Sequence, residues 1–169
     1  DTVEQAKTAI AAAKFPPTGN RSVGGGSGAM NFAAEVGDYR MQANDEILVV
    51  LQTESPTGIA NAEEIYSLPG CDAIFIGPND LRFQMREEDG TFPTPEAHEA
   101  AIQEVIEIGK KTNCPTGIHA MDPVSAVQRA EQGMQFIAVE SDLKFLTSQA
   151  TAALKIVYPD HDAGDVVRY

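Results

Sequence analysis

An α/β fold with a parallel sheet is predicted by two features of this 169-residue chain. First, short apolar runs of the kind that form fully buried strands alternate with longer segments that have helical periodicity. Second, three of the helical segments begin at a capping residue followed by proline, and two of them end next to a glycine. The strand–helix pair occurs four times after an initial helix and a glycine-rich loop. This alternation is typical of strands joined by crossover helices.

The first part of the chain is predicted to lead into the first strand. Residues 1–15 form a helix with one apolar stripe, and a pair of prolines ends it. Residues 18–30 form a glycine-rich loop, and residues 31–44 form a short helix and a turn. The first strand is predicted over residues 47–53, where the sequence has an apolar run without polar alternation.

The remaining elements continue the alternation to the end of the chain. Further strands are predicted over residues 73–76, 114–119 and 135–140. Further helices are predicted over residues 55–68, 94–111, 122–132 and 142–157. We expect residues 158–169 to be a loose C-terminal tail and residues 1–169 to form a single domain.

Composition excludes several classes of function. The chain has 12 basic and 25 acidic residues and a formal charge of −13, which argues against a nucleic-acid partner. It has no apolar run of about 18 residues and no signal-peptide pattern, so we expect neither a membrane span nor secretion. Cys71 and Cys114 are isolated in the sequence, and we interpret them as reduced, partly buried thiols of a cytoplasmic protein.

Two acidic residues, Glu54 and Asp80, follow the first two predicted strands. The intervening helix makes a βαβ unit, so both strands end at the same edge of the sheet and the carboxylates are expected to converge there. A hard divalent cation such as Mg²⁺ or Mn²⁺ is the simplest reason for this convergence. Such a metal would act as a Lewis acid on a chelated 2-oxo acid. For one such acid taken alone, helix capping or a solvated turn is the commoner explanation.

The backbone after the second strand and the glycine-rich loop have separate interpretations. The N–H groups of Asn79, Asp80 and Leu81, at the start of a short helix, are candidates to hold the carboxylate of the 2-oxo acid. Residues 24–28 lack the spacing of a dinucleotide fingerprint, and no Lys-Ser/Thr pair of a P-loop follows them. Four strands are too few for a closed barrel, which needs about eight to fill its interior. On the strand–helix pattern alone, an open doubly wound sheet is therefore possible.

Two long segments resemble the HpcH/HpaI aldolase family. VVLQTESPTGIANAEEI and LPGCDAIFIGPNDLRF are similar to the family pattern QIET…N…EI…PGVDAIFIGPNDLS. The resemblance extends back through KFPPTGNRSVGG, which is similar to YPPxGxRGxG, and forward through PTGIHA and FIAVESD. It therefore covers nearly the whole chain.

The resemblance implies a (β/α)8 barrel, of which residues 47–53, 73–76, 116–119 and 135–139 would be the fifth to eighth strands. It also implies a divalent metal, Mg²⁺ or Mn²⁺ with Co²⁺ as a further possibility. The implied reaction is the reversible aldol cleavage of a substrate to pyruvate and an aldehyde. The implied metal ligands are Glu54 and Asp80. The residues implied to hold the substrate are Gln52, Gly77, Pro78 and Asn79.

In the family, the general base is a histidine on a strand that precedes the matched region. The arginine that polarises the keto group and the aspartate that partners the histidine also lie on the preceding strands. We therefore assign no catalytic residue in this chain. We expect one of two arrangements. Either these groups lie on an N-terminal barrel half, in a longer protein or in another chain, or this chain is a half-barrel that pairs with a second copy of itself. Either case predicts a homo-oligomer or a complex with the complementary half, because a lone half exposes strand edges and an apolar sheet face.

Five further residues are considered for the site. His119 ends the third strand, where contact with the aldehyde and a structural hydrogen bond are both open. His98, on a predicted helix, is expected to be solvated, and His161 lies in the tail. Arg21 matches a loop arginine of the family and is expected to stabilise the loop. Asp142 matches a family acid, and helix capping explains it as well as chemistry does.

Two other functions remain open. The first is a related lyase or decarboxylase acting on oxaloacetate or on a malyl or citryl thioester. A thioester requires a basic groove for its phosphates, and only Lys110 and Lys111 suggest one. The second is a metal-binding half-barrel without catalytic activity.

Overall fold

The computed structural model describes residues 1–159. The helices are α1 (Val3–Ala13), α2 (Ser27–Asn31), α3 (Val36–Glu46), α4 (Pro56–Ala60), α5 (Ala62–Tyr66), α6 (Pro78–Gln84), α7 (Pro95–Thr112), α8 (Pro123–Glu131) and α9 (Asp142–Val157). The strands are β1 (Val50–Thr53), β2 (Ala73–Ile76), β3 (Thr116–Ala120) and β4 (Phe136–Val139). The predicted tail lies outside the described residues from position 160 onward.

The four strands form one parallel sheet in the order β1-β2-β3-β4. The predicted α/β fold with a parallel sheet is therefore confirmed. Each strand pairs with the next strand in the chain, and the order does not reverse as it does at the switch point of a doubly wound sheet. Consecutive pairing of this kind is consistent with part of a (β/α)8 barrel.

One face of the sheet forms the hydrophobic core. Successive side chains of a strand point to opposite faces, so alternate residues of each strand enter this core. The core side of the sheet includes Ile74, Ile76 and Ile118, and these pack with Ile102 and Val105 of α7. Burial of such aliphatic side chains contributes about 1.5–3 kcal/mol each and anchors α7 on the sheet.

β1 is shorter and less buried than predicted. It covers Val50–Thr53 rather than residues 47–53. The N–H of Ile47 still bonds the carbonyl of Ala43 at the end of α3, which delays the start of the strand. Leu48, which precedes β1, is 62% exposed, whereas the side chain of its neighbour Val49 is buried.

The crossover between β1 and β2 was predicted as one helix over residues 55–68 and is instead two short helices. The break falls at Asn61, whose backbone leaves the helical region with φ −100° and ψ 4°. Its side-chain amide donates to the carbonyls of Asp1 and Thr57, at 2.8 and 3.1 Å. Asparagine side chains that bond nearby backbone groups in this way commonly compete with the hydrogen bonds of a continuous helix.

The glycine-rich region also differs from prediction in one respect. The predicted loop over residues 18–30 contains the short helix α2, and the helix predicted over residues 31–44 begins five residues later, at Val36. The bounds of β2 and α9 agree with prediction, and those of α7, α8, β3 and β4 agree within two residues at each end.

Apolar side chains remain exposed along the last elements of the chain. Phe136 and Val139 of β4 and much of α9 are accessible, and no residue of α8 or α9 is buried. The exposed apolar side chains of α9 are Leu143, Phe145, Leu146, Leu154, Ile156 and Val157. Over residues 1–159, none of the helices has the length and apolar character needed to span a bilayer.

Candidate active site

Three of the predicted site residues, Gln52, Glu54 and His119, are directed to the sheet face opposite the core. The alternation along β1 directs Leu51 and Thr53 to the core, and therefore Gln52 and Glu54 to the other face. Thr53 is in register with Ile76, so Glu54 follows β1 at the level at which Gly77 follows β2. The same alternation places Phe75 and His119 on this face.

Glu54, Gln52 and Gly77 are in close contact. The side-chain amide of Gln52 donates to Oε2 of Glu54 at 2.6 Å. A Cβ atom added to Gly77 would overlap that same carboxylate oxygen and would lie 2.8 Å from Nε2 of Gln52. Only glycine at position 77 therefore lets the turn after β2 approach the Glu54 carboxylate this closely.

The backbone on either side of Glu54 is firmly held. Ser55 caps α4, and its hydroxyl accepts the N–H of Gly58 at 2.9 Å, while Pro56 occupies the first helical turn. On the core side, the hydroxyl of Tyr66 donates to Oγ1 of Thr53 at 2.9 Å. Burial raises the pKa of Tyr66 well above its ordinary value, so this phenol remains a neutral donor. The strand end that carries Glu54 is thus fixed on both faces.

Asp80 lies in the first turn of α6, which begins at Pro78 directly after the Gly77 turn. Its side chain is exposed, whereas that of the next residue, Leu81, is fully buried in the core. α6 is therefore anchored through Leu81 and presents Asp80 towards solvent at the carboxyl end of the sheet. The structure places both predicted acids at this end, as the βαβ topology requires.

His98 does not have the solvated environment expected of it. It is half-buried, and its Nε2 lies 2.9 Å from the carbonyl oxygen of Pro78. The first turn of α7 is thereby joined to the first turn of α6, two residues before Asp80. The expectation failed because helical periodicity shows which face of α7 is polar but not that another helix end packs there.

His119 is also engaged with the backbone. Its ring Nε2 lies 3.0 Å from the carbonyl oxygen of Glu140, and the side chain is half-buried. Of its two interpretations, the structural hydrogen bond is present, and contact with an aldehyde stays a prediction. Asp142 is not the cap of α9, because Ser141 accepts the N–H of Lys144; the Asp142 carboxylate accepts the N–H of Leu143 instead.

Arg21 is placed as expected for a residue that stabilises its loop. Its guanidinium donates to the hydroxyl of Tyr39 at 3.0 Å and lies 4.5 Å from the centre of the Phe15 ring. Cys71 and Cys114 are free thiols, half-buried and buried respectively. His161 is outside the described residues.

The donor set at this edge of the sheet suits a hard cation with few protein ligands. Among residues 1–159, no three His, Cys, Asp or Glu side chains are grouped closely enough to hold a metal. The two acids would therefore leave most coordination positions to water and substrate, as Mg²⁺ sites commonly do. The Gln52 amide orients Glu54, and such a second partner was not predictable from the spacing of the acids.

Comparison with known proteins identifies the family. Residues 1–149 match the model of the HpcH/HpaI aldolase/citrate lyase family. The chain belongs to this family. A hydroxypyruvate/pyruvate aldolase of Chromohalobacter salexigens is 38% identical over 150 residues, which cover 89% of this chain and 58% of the relative. A 2-dehydro-3,6-dideoxy-6-sulfogluconate aldolase of Pseudomonas putida is 37% identical over 91% of this chain and 59% of the relative.

Structural superposition with a solved protein agrees with this family assignment. The HpcH/HpaI aldolase/citrate lyase family protein of Burkholderia cenocepacia superimposes with a TM-score of 0.81 and 33% identity, covering 92% of this chain and 61% of that chain. The four-stranded sheet therefore corresponds to part of the fold of an HpcH/HpaI protein. The chain spans about three-fifths of the length of the curated relatives it matches.

Proposed function

We propose that this HpcH/HpaI chain provides the metal- and pyruvate-binding part of a divalent-metal-dependent aldolase. The complete enzyme would make or cleave a C–C bond between pyruvate and an aldehyde, as the names of its relatives suggest. The observation that carries the proposal is the close packing of Glu54, Gln52 and Gly77, with Asp80 on the next helix. Such precise placement is what a positioned carboxylate ligand requires.

In this proposal Glu54 and Asp80 hold Mg²⁺, Mn²⁺ or Co²⁺. When bound, the ion supplies Lewis-acid polarisation of the pyruvate keto group and stabilises the negative charge that develops there. Gln52 keeps the Glu54 carboxylate oriented through its amide and is also proposed to contact the substrate. The turn formed by Gly77, Pro78 and Asn79 is proposed to line the pocket of the pyruvate carboxylate.

The proton-transfer group of the reaction is proposed to come from outside these residues. The described histidines, His98 and His119, each have a ring nitrogen within hydrogen-bonding distance of a backbone carbonyl, which favours a structural role for both. A complementary N-terminal barrel half, in the same protein or in a partner chain, is the proposed source. Its docking, or that of a second copy, would also cover the exposed apolar side chains of β4 and α9 in a cytoplasmic oligomer.

Pyruvate binding and pyruvate proton exchange separate these roles. We expect isothermal titration calorimetry to show that the chain binds pyruvate only when Mg²⁺ or Mn²⁺ is present. With Mg²⁺ in deuterated water, NMR should show the pyruvate methyl signal disappearing only after a complementary half has been added, because exchange requires a general base. Absence of metal-dependent pyruvate binding would contradict the proposed function. Rapid exchange by the 169-residue chain alone would contradict the external base.

A further inference from the structure

A polar cavity lies at the other end of β1 from Glu54. It has a volume of about 130 Å³ and lies between the glycine-rich segment, residues 22–28, and helix α3. The segment before the glycine-rich segment is hydrogen-bonded to the residues that lead into β1. The N–H of Phe15 donates to the side chain of Asn44 at 2.6 Å, and Nζ of Lys14 donates to the carbonyl of Ile47 at 2.6 Å. The cavity is therefore separated from the candidate active site by the length of the strand.

Two arginines line this cavity, and both are held in defined orientations. Arg21 stacks on Phe15 and donates from one terminal nitrogen to the hydroxyl of Tyr39. Arg40 donates from one terminal nitrogen to the carbonyl of Gly24 at 2.9 Å. A guanidinium has five N–H donors, so each of these contacts leaves most of the donors available.

Neither arginine has a carboxylate partner within residues 1–159. By contrast, Arg129 forms a two-nitrogen pair with Glu99, at 2.6 and 2.7 Å. Acidic residues outnumber basic ones 25 to 12 in this chain, so carboxylates are abundant. Two half-buried guanidinium groups at one cavity with no acid beside them create a local positive potential.

The glycine-rich segment gives the cavity its backbone wall. A Cβ atom at Gly26 would lie 2.8 Å from Val36, and one at Gly28 would lie 3.2 Å from the Tyr39 ring, so glycine allows the segment to pack closely on α3. In the described part of the chain, the N–H groups of residues 22–25 have no hydrogen-bond acceptor. Residues 22–25 are exposed, so their N–H groups are open to water or to a bound oxyanion.

We propose that this cavity binds a small oxyanion, a carboxylate or a phosphate group, through Arg21 and Arg40. Two guanidinium groups at one polar cavity suit a small oxyanion, because each can donate more than one charge-assisted hydrogen bond to it. The anchoring guanidinium groups give charge-assisted hydrogen bonds, and the bracing contacts to Tyr39 and Gly24 keep them oriented for the ligand. The site does not use Glu54 or Asp80, so it stands independently of the proposed aldolase function.

Titration of the 169-residue chain with inorganic phosphate and, separately, with malonate tests the site. Calorimetry at low ionic strength should give saturable binding of at least one anion, and NMR should show the shifts on the amides of residues 22–28. Arg40→Gln should weaken binding roughly 10- to 150-fold, because a charge-assisted bond contributes about 1.5–3 kcal/mol. The matched control is Arg86→Gln, since Arg86 also lacks a carboxylate partner in the described structure but stacks on Phe83 away from the cavity.

Each result decides the proposal. Binding that Arg40→Gln weakens and Arg86→Gln preserves supports the site, and the tighter of the two anions identifies its ligand class. Arg21→Gln gives a second measurement if it folds, and Arg40→Gln suffices if it does not. Absence of saturable binding, equal weakening by the Arg40 and Arg86 variants, or unchanged affinity in Arg40→Gln would overturn it and leave both cavity arginines with a bracing role alone.

Discussion

Replacing Glu54 by glutamine is expected to weaken the binding of Mn²⁺, and with it metal-dependent pyruvate binding, by roughly 100-fold or more. The substitution keeps the shape of the side chain but removes the negative charge and one of its two carboxylate oxygens, which a hard cation requires. It also changes the contact with Gln52, whose amide donates to Oε2 of Glu54 in the unaltered chain. Calorimetric titration with Mn²⁺, and then with pyruvate at saturating Mn²⁺, measures both effects.

Glu104→Gln is the matched control for this variant. Glu104 is an exposed acid of α7, so its replacement changes the net charge equally without touching the site. We expect the control to bind Mn²⁺ and pyruvate like the unaltered chain. If Glu54→Gln binds as tightly as Glu104→Gln, Glu54 is not a ligand and the proposed metal site is wrong.

Gly77→Ala is expected to reduce metal-dependent pyruvate binding about 10- to 100-fold while leaving the chain folded. The new methyl group would occupy the position of the Glu54 carboxylate oxygen and crowd the amide of Gln52. Both of these atoms are at the ends of flexible side chains, so they move aside rather than unfold the sheet. Calorimetry measures the affinity, and thermal unfolding followed by circular dichroism measures the stability.

The control for Gly77→Ala is Gly37→Ala on α3, where an added Cβ atom has no neighbour within 4 Å. This variant should retain pyruvate binding, and its unfolding temperature should not fall, because alanine favours helix over glycine by roughly 1 kcal/mol. Unchanged pyruvate affinity in Gly77→Ala would show that the close approach to Glu54 has no part in binding.

The elements that the sequence predicts best have strong local signals that the tertiary environment does not oppose. β2 is an apolar run with a strand on each side, and its predicted bounds match the structure. α9 begins after Ser141, a capping serine, and also matches. β1 has an equally apolar sequence, but it starts later than predicted because the N–H of Ile47 still bonds the carbonyl of Ala43 at the end of α3.

The site was predictable in its topology and not in its contacts. The positions of Glu54 and Asp80 after successive parallel strands follow from the βαβ rule. The Gln52–Glu54 hydrogen bond and the His98 contact to Pro78 depend on side-chain rotamers and on the packing of one helix end on another. Strand alternation places Gln52 and Glu54 on the same face but does not fix the rotamers that join them. The His98 contact joins two helix ends that only the tertiary fold brings together.

In the proposed function, Glu54 and Asp80 share one divalent ion that also holds a 2-oxo acid. The most direct test is anomalous diffraction at the manganese edge from crystals of the protein soaked with Mn²⁺ and pyruvate. We expect one anomalous peak bonded to carboxylate oxygens of both Glu54 and Asp80, at roughly 2.0–2.2 Å as for small divalent ions, with pyruvate beside it. A peak that contacts neither acid, or only one of them with pyruvate bound elsewhere, would contradict the claim.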